Sequence, residues 1–130
     1  MILALQTAGP TTYIYIVDAA GTVISAREWE SARRLADELL GTLAEFLAQN
    51  GTDFNGLTGI IIFSGPGSFT SLRIGHTVVN ALASQLKIPV AGTDGERWII
   101  DGAKALPETP VGVIAMPVYG SEAHVTKPKA

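Results

Sequence analysis

Residues 59–76, Gly-Ile-Ile-Ile-Phe-Ser-Gly-Pro-Gly-Ser-Phe-Thr-Ser-Leu-Arg-Ile-Gly-His, constrain this chain more than any other stretch. Ile60, Ile61, Ile62 and Phe63 make an unbroken apolar run, the pattern of a strand buried on both faces. Ser64-Gly65-Pro66-Gly67 stops it, because neither strand nor helix continues through that composition. Ser68, Thr70 and Ser71 are helix-capping residue types, and Leu72 to Leu86 runs on as a helix. Strand, glycine loop and helix N-terminus leave backbone N–H groups pointing out of the turn. The stretch therefore suits an anion or a tight protein contact. It is not a P-loop: no Gly-Lys-Ser/Thr is present, and the full G-x-G-x-x-G spacing is absent.

The flanking chain supplies the other layers. Ile2–Leu5 reads as a short strand, followed by the polar turn 6–12. Tyr13–Asp18 and Thr22–Trp29 read as two further strands around a Gly21 hairpin, which together give an antiparallel meander. Ser31 is the expected N-cap of a helix to about Asn50, with Gly51 just past its end. After the second helix, Lys87–Gly92 is a short strand, and Asp94 is expected to cap a third helix to about Ala105. Pro107 and Pro110 mark a break. Val111–Met116 and Ala123–Lys127 read as a final hairpin, which divides the chain into 1–106 and 107–130. The order β-β-β-α-β-α-β-α predicts an α/β fold with a mixed five-stranded sheet and right-handed crossovers. That is the ribonuclease-H-like core of actin-like ATPases.

The second helix is the least ordinary element. Arg73 is its only charge, and Leu72, Ile74, Val78, Val79, Leu82 and Leu86 spread beyond one stripe. A mean hydropathy of +0.30 in 130 residues fits an apolar surface covered by a partner. The expected contact residues are Ile74, Val78 and Leu82 on this helix with Leu39, Leu43 and Phe46 on the first. Arg73 suits a phosphate, a partner carboxylate, or an internal ion pair to Asp18, Glu28 or Asp94.

Other chemistries find less support. A formal net charge of −3 argues against broad nucleic-acid binding by this chain alone. Without cysteine there is no disulfide framework and no thiolate metal site. The two histidines, His76 and His124, form no H-x-x-x-H pattern, so no metal is expected. No G-x-S-x-G elbow marks Ser64, Ser68 or Ser71 as a nucleophile. The start lacks a basic region and is too short to span a bilayer, so a cytoplasmic protein is expected.

Gly65 to Gly75, GPGSFTSLRIG, resembles the GPGSFTGLRIG signature of the TsaB (YeaZ) family. Ile2-Leu3-Ala4-Leu5-Gln6-Thr7 resembles that family's ILAIDTS start, and Ile88–Gly92 its LPVVGV segment. The resemblance covers residues 1 to about 105. It implies a non-catalytic subunit without cofactor that pairs with a TsaD-like paralogue. The pair supports threonylcarbamoyl transfer to adenosine 37 of tRNA, with a small TsaE-like ATPase joining. It also implies a homodimer in isolation and only indirect contact with tRNA. The loop Gly65, Pro66, Gly67, Ser68, Phe69, Thr70 and Arg73 would then lie at the subunit boundary. Gln6 stands where the family has an acidic residue, and Ser71 where the signature has glycine. Val111–Lys127 resembles only the opening of a second lobe, as in a shortened form. The alternative expectation is an actin-like nucleotide-binding module with phosphates at Thr7 and Gly65–Gly67. Gln6 argues against it.

Overall fold

The computed structural model describes residues 1–119. Five strands form one sheet: β1 (Ile2–Gln6), β2 (Thr11–Val17), β3 (Val23–Glu30), β4 (Gly59–Phe63) and β5 (Val90–Thr93). Three helices accompany them: α1 (Leu35–Gln49), α2 (Phe69–Leu86) and α3 (Trp98–Ala105). The sheet order is β3-β2-β1-β4-β5. Strands β1, β2 and β3 pair antiparallel, whereas β4 lies parallel to β1 and β5 parallel to β4. This is the mixed α/β sheet of the ribonuclease-H-like fold.

Apolar patterning explains the order. β1 and β4 are apolar on both faces and occupy the centre, where Leu3, Leu5, Ile60, Ile61 and Ile62 are fully buried. β2 alternates, sending Ile14 and Ile16 to one face while Tyr13 and Tyr15 take the other. α1 and α2 cover the face that carries Leu3, Leu5, Ile14, Ile16, Ile60 and Ile62. α3 covers Ile2, Ala4, Ile61 and Ala91 on the opposite face through Trp98 and Ala103. Trp98 meets Phe63 and Tyr15 edge-on, with ring centroids 5.7 Å and 6.1 Å away. Gly21, at φ +86°, turns the β2–β3 hairpin, and Asp18 Oδ1 accepts from the Ala20 and Thr22 N–H groups.

Several boundaries differ from expectation. β2 begins at Thr11 and β3 ends at Glu30. Ser31 caps nothing: its buried hydroxyl lies 2.6 Å from that of Thr12, and a 3-10 turn (Ala32–Arg34) precedes α1. Asp94 likewise does not cap α3, which starts at Trp98. Gly51 follows α1 with a positive φ, as expected. Val111–Met116 is not a strand of a hairpin, since no strand pairs with it among the described residues. Its expected mate, 123–127, lies outside them.

Candidate functional site

The loop after β4 is built around close backbone approaches. Gly65 is buried at φ +124° with the Val118 carbonyl against it, so a side chain there has neither room nor an allowed conformation. Gly67 packs on the backbone of Ala8 in the turn after β1. The Ser64 N–H donates to the Thr93 carbonyl at 2.7 Å, and the Ser68 N–H to the Ala8 carbonyl at 2.8 Å. Two of the loop's N–H donors, those of Ser64 and Ser68, are thus taken by neighbouring segments. Ser68 has extended backbone and accepts from the Ser71 N–H at 3.4 Å, so it is the N-cap of α2. Thr7, fully buried, donates to the Ser71 carbonyl at 3.0 Å and sits directly against Gly75. The turn after β1 and the glycine loop therefore lock each other and set the angle at which α2 leaves the sheet.

The expected loop residues divide by exposure. Pro66, Ser68, Phe69, Thr70 and Arg73 face solvent, Gly67 is half-buried and Gly65 is inside. The Arg73 guanidinium lies 5.6 Å from the centre of the Phe69 ring, a cation–π contact. It forms no ion pair with Asp18, Glu28 or Asp94 among the described residues. Phe69 in turn stacks on Tyr119, 4.5 Å between centroids.

The expected contact face is half corrected. Ile74, Val78 and Leu82 are half-buried along α2, packed in part against the core. Leu39, Leu43 and Phe46 are not on it: they lie in the core against the sheet, 0–3% exposed. They form the inner apolar stripe of α1, and the sheet needs that stripe for its own cover. From α1 the outer face receives Leu40 instead, which is 51% exposed. Leu40, Val78, Ala81, Leu82, Thr77 and Gln85 line an open groove of about 350 Å³ without a charged residue. A salt bridge of 2.8 Å from Arg27 to Glu45 fastens α1 to β3.

A second concavity, about 690 Å³, opens at the C-terminal ends of β1, β4 and β5. Gln6, Phe63, Gly65, Pro66 and Trp98 line it, with Asp94 and Glu96 at its rim and no basic side chain. Two carboxylates and no cation disfavour a polyphosphate there. The Thr7 hydroxyl, expected to meet phosphates in the nucleotide reading, is spent on Ser71.

His76 is one of the two histidines of the chain. It is 3% exposed on α2, with Nδ1 2.8 Å from the Leu72 carbonyl oxygen. A carbonyl only accepts, so Nδ1 carries the proton; Nε2 is buried without a partner. Burial, opposed by the Leu72 hydrogen bond, holds the imidazole below its usual value of 6.5. Between 6.5 and that lower value the unfolded chain takes up a proton that the folded chain refuses, so stability falls as pH falls. Thermal melts from pH 7.5 down to about 5 should show a drop in Tm for the wild type that His76→Leu reduces. An equal drop in both would assign the acid sensitivity elsewhere. No group of three or more His, Cys, Asp or Glu side chains clusters for a metal among the described residues. No helix there is long and apolar enough to cross a membrane.

The sequence reading did not single out Asn80, whose carboxamide bonds to the backbone of Ala115. A polar side chain inside an apolar helix was the only signal for it.

Comparison with known proteins places this geometry. The family described as "TsaD: tRNA N6-adenosine threonylcarbamoyltransferase" matches residues 29–116. The tRNA threonylcarbamoyladenosine biosynthesis protein TsaB of Buchnera aphidicola subsp. Acyrthosiphon pisum is 38% identical over 52 residues, 40% of this chain and 24% of that protein. The solved YeaZ from Pseudomonas aeruginosa superposes with a TM-score of 0.64 at 28% identity, covering 72% of this chain and 43% of that one. A second solved protein, titled as similar to peptidase YEAZ from the same organism, gives the same TM-score of 0.64 and identity of 28%, over 72% of this chain and 42% of its own. The chain therefore spans less than half the length of these relatives.

Proposed function

Because the chain belongs to the TsaD-type tRNA N6-adenosine threonylcarbamoyltransferase family, on its TsaB (YeaZ) side, we propose that it is a non-catalytic subunit of tRNA threonylcarbamoyladenosine formation. It pairs with a TsaD-like paralogue through the outer face of α2 and supports transfer of the threonylcarbamoyl group to adenosine 37. In this reading a TsaE-like ATPase joins the pair, tRNA is met through the partner, and isolated chains pair with each other by the same face.

The observation that carries the proposal is the half-buried row Ile74, Val78 and Leu82 beside the exposed Leu40. Those side chains already touch the core, yet no further layer of the described residues covers them. An apolar groove without charge fits a second helical surface better than a polar ligand. The hydroxyl chemistry supports a non-catalytic role. Thr7 and Ser68 serve the loop, and among the described residues no histidine or carboxylate bonds to Ser64, Ser68 or Ser71. Pairing would act on the partner by binding one of its arrangements more tightly than others.

A pull-down with the TsaD-like paralogue from the same source, followed by a tRNA modification assay with and without this chain, tests the proposal. A stable complex and a raised rate of modification are expected. Absence of both would sink it.

A further inference from the structure

Residues 113–119 run past the loop without regular secondary structure and without joining the sheet. Val113, Ile114, Met116 and Val118 are all more than half exposed, and only Ala115 is buried. Apolar burial therefore does not fix the segment. Specific polar ties do. Asn80 Nδ2 donates to the Ala115 carbonyl at 2.9 Å, and Asn80 Oδ1 accepts from the Ala115 N–H at 3.0 Å. One side chain thus supplies both bonds that a neighbouring strand would have given this residue. Three residues on, the Val118 N–H donates to the Ser64 carbonyl at 2.6 Å, and the Val118 carbonyl closes over Gly65. Tyr119 then stacks on Phe69, the first residue of α2, which itself lies under Arg73.

We propose that Asn80 is a positioning residue. It pins residues 113–119 as a strap, and the strap holds the Ser64–Ser68 loop and the first turn of α2 in the arrangement that presents the helix to its partner. Asn80 touches neither the outer groove nor the loop. It acts through the backbone of Ala115, one end of a strap whose other end bears on Ser64, Gly65 and Phe69. Only the last step, presentation to a partner, rests on the pairing function proposed above; the strap is a property of the isolated chain.

Asn80→Leu keeps the size of the side chain and removes both ties. Hydrogen exchange on the isolated protein reads the result at Ala115 and Val118 in the strap, and at Leu72, whose N–H donates to the Ser68 carbonyl at 2.9 Å. All three are expected to exchange faster by about 10-fold, while Leu43 in the core keeps its rate. Faster exchange confined to Ala115 would overturn the strap. Tyr119→Ala loosens the other end without altering α2 and should speed the same three amides. Its failure to reach Ala115 would also overturn it. Asn80→Leu should weaken binding of a TsaD-like partner by about 10-fold. Unchanged affinity with all three amides loosened would overturn the presentation step. If the wild-type chain binds no such partner, the pairing function fails, and the exchange rates still decide the strap.

Discussion

On the proposed pairing, Val78→Arg is expected to abolish binding to a TsaD-like partner while leaving the fold intact. Val78 sits one turn from both Ile74 and Leu82 and lines the groove with Leu40, so any helical surface docked there must cover it. In the free chain the site is half open, and an arginine stem can lie along Leu82 with its head in water. The cost to folding is then small, about 1 kcal/mol or less. In the complex the same guanidinium is buried without a counter-charge, a penalty of several kcal/mol. Loss of about 3 kcal/mol already weakens affinity more than 100-fold. Isothermal titration and size-exclusion with light scattering read the loss, and far-UV circular dichroism reads the retained fold. Lys104→Glu, on the exposed side of α3 across the sheet, is the control and should bind as the wild type does. A Val78→Arg chain that still binds at wild-type strength would place the interface elsewhere.

The residues that made the fold legible are those whose partners lie in their own pattern. Ile60–Ile62 can only be a central strand, because three consecutive β-branched residues find cover on both faces nowhere else. The alternation of β2 and the Asp18–Thr22 turn place the meander by local chemistry alone. Ser31 misled because its hydroxyl has two possible clients. It resembles a cap from the chain around it, but the bond it makes is to Thr12 on a neighbouring strand, nineteen positions back. Leu39, Leu43 and Phe46 misled for a related reason. Periodicity shows that α1 has one apolar stripe, but not whether the sheet or a partner takes it; the sheet does, since α1 has no second stripe to offer it. Val111–Met116 has the composition of a strand, with Val111, Val113 and Ile114. What a strand requires is a neighbour, and among the described residues Asn80 supplies the only side chain that bonds to Ala115.

Gly75→Ala should lower stability by about 2 kcal/mol, although alanine is the better helix former by about 1 kcal/mol. The two effects oppose each other, and the packing around Gly75 decides the sign. A Cβ there would meet the Thr7 hydroxyl and its methyl group. Thr7 cannot swing aside: it is fully buried, and its hydroxyl is committed to the Ser71 carbonyl one turn earlier in the same helix. Relief must therefore come from lifting α2 off the turn after β1, and that motion also pulls Ser68 from the Ala8 carbonyl. For a chain of 130 residues 2 kcal/mol corresponds to a Tm lowered by about 7 °C. Thr7→Ala alone removes the bond to Ser71 and should cost about 1 kcal/mol. It also removes the atoms with which the new Cβ collides, so the double substitution should be less destabilising than the sum of the two. Denaturant titration of the four proteins measures that coupling. Strict additivity, or a stabilised Gly75→Ala, would mean that α2 is not seated on Thr7, and that the loop's geometry is held by Gly65 and the strap alone.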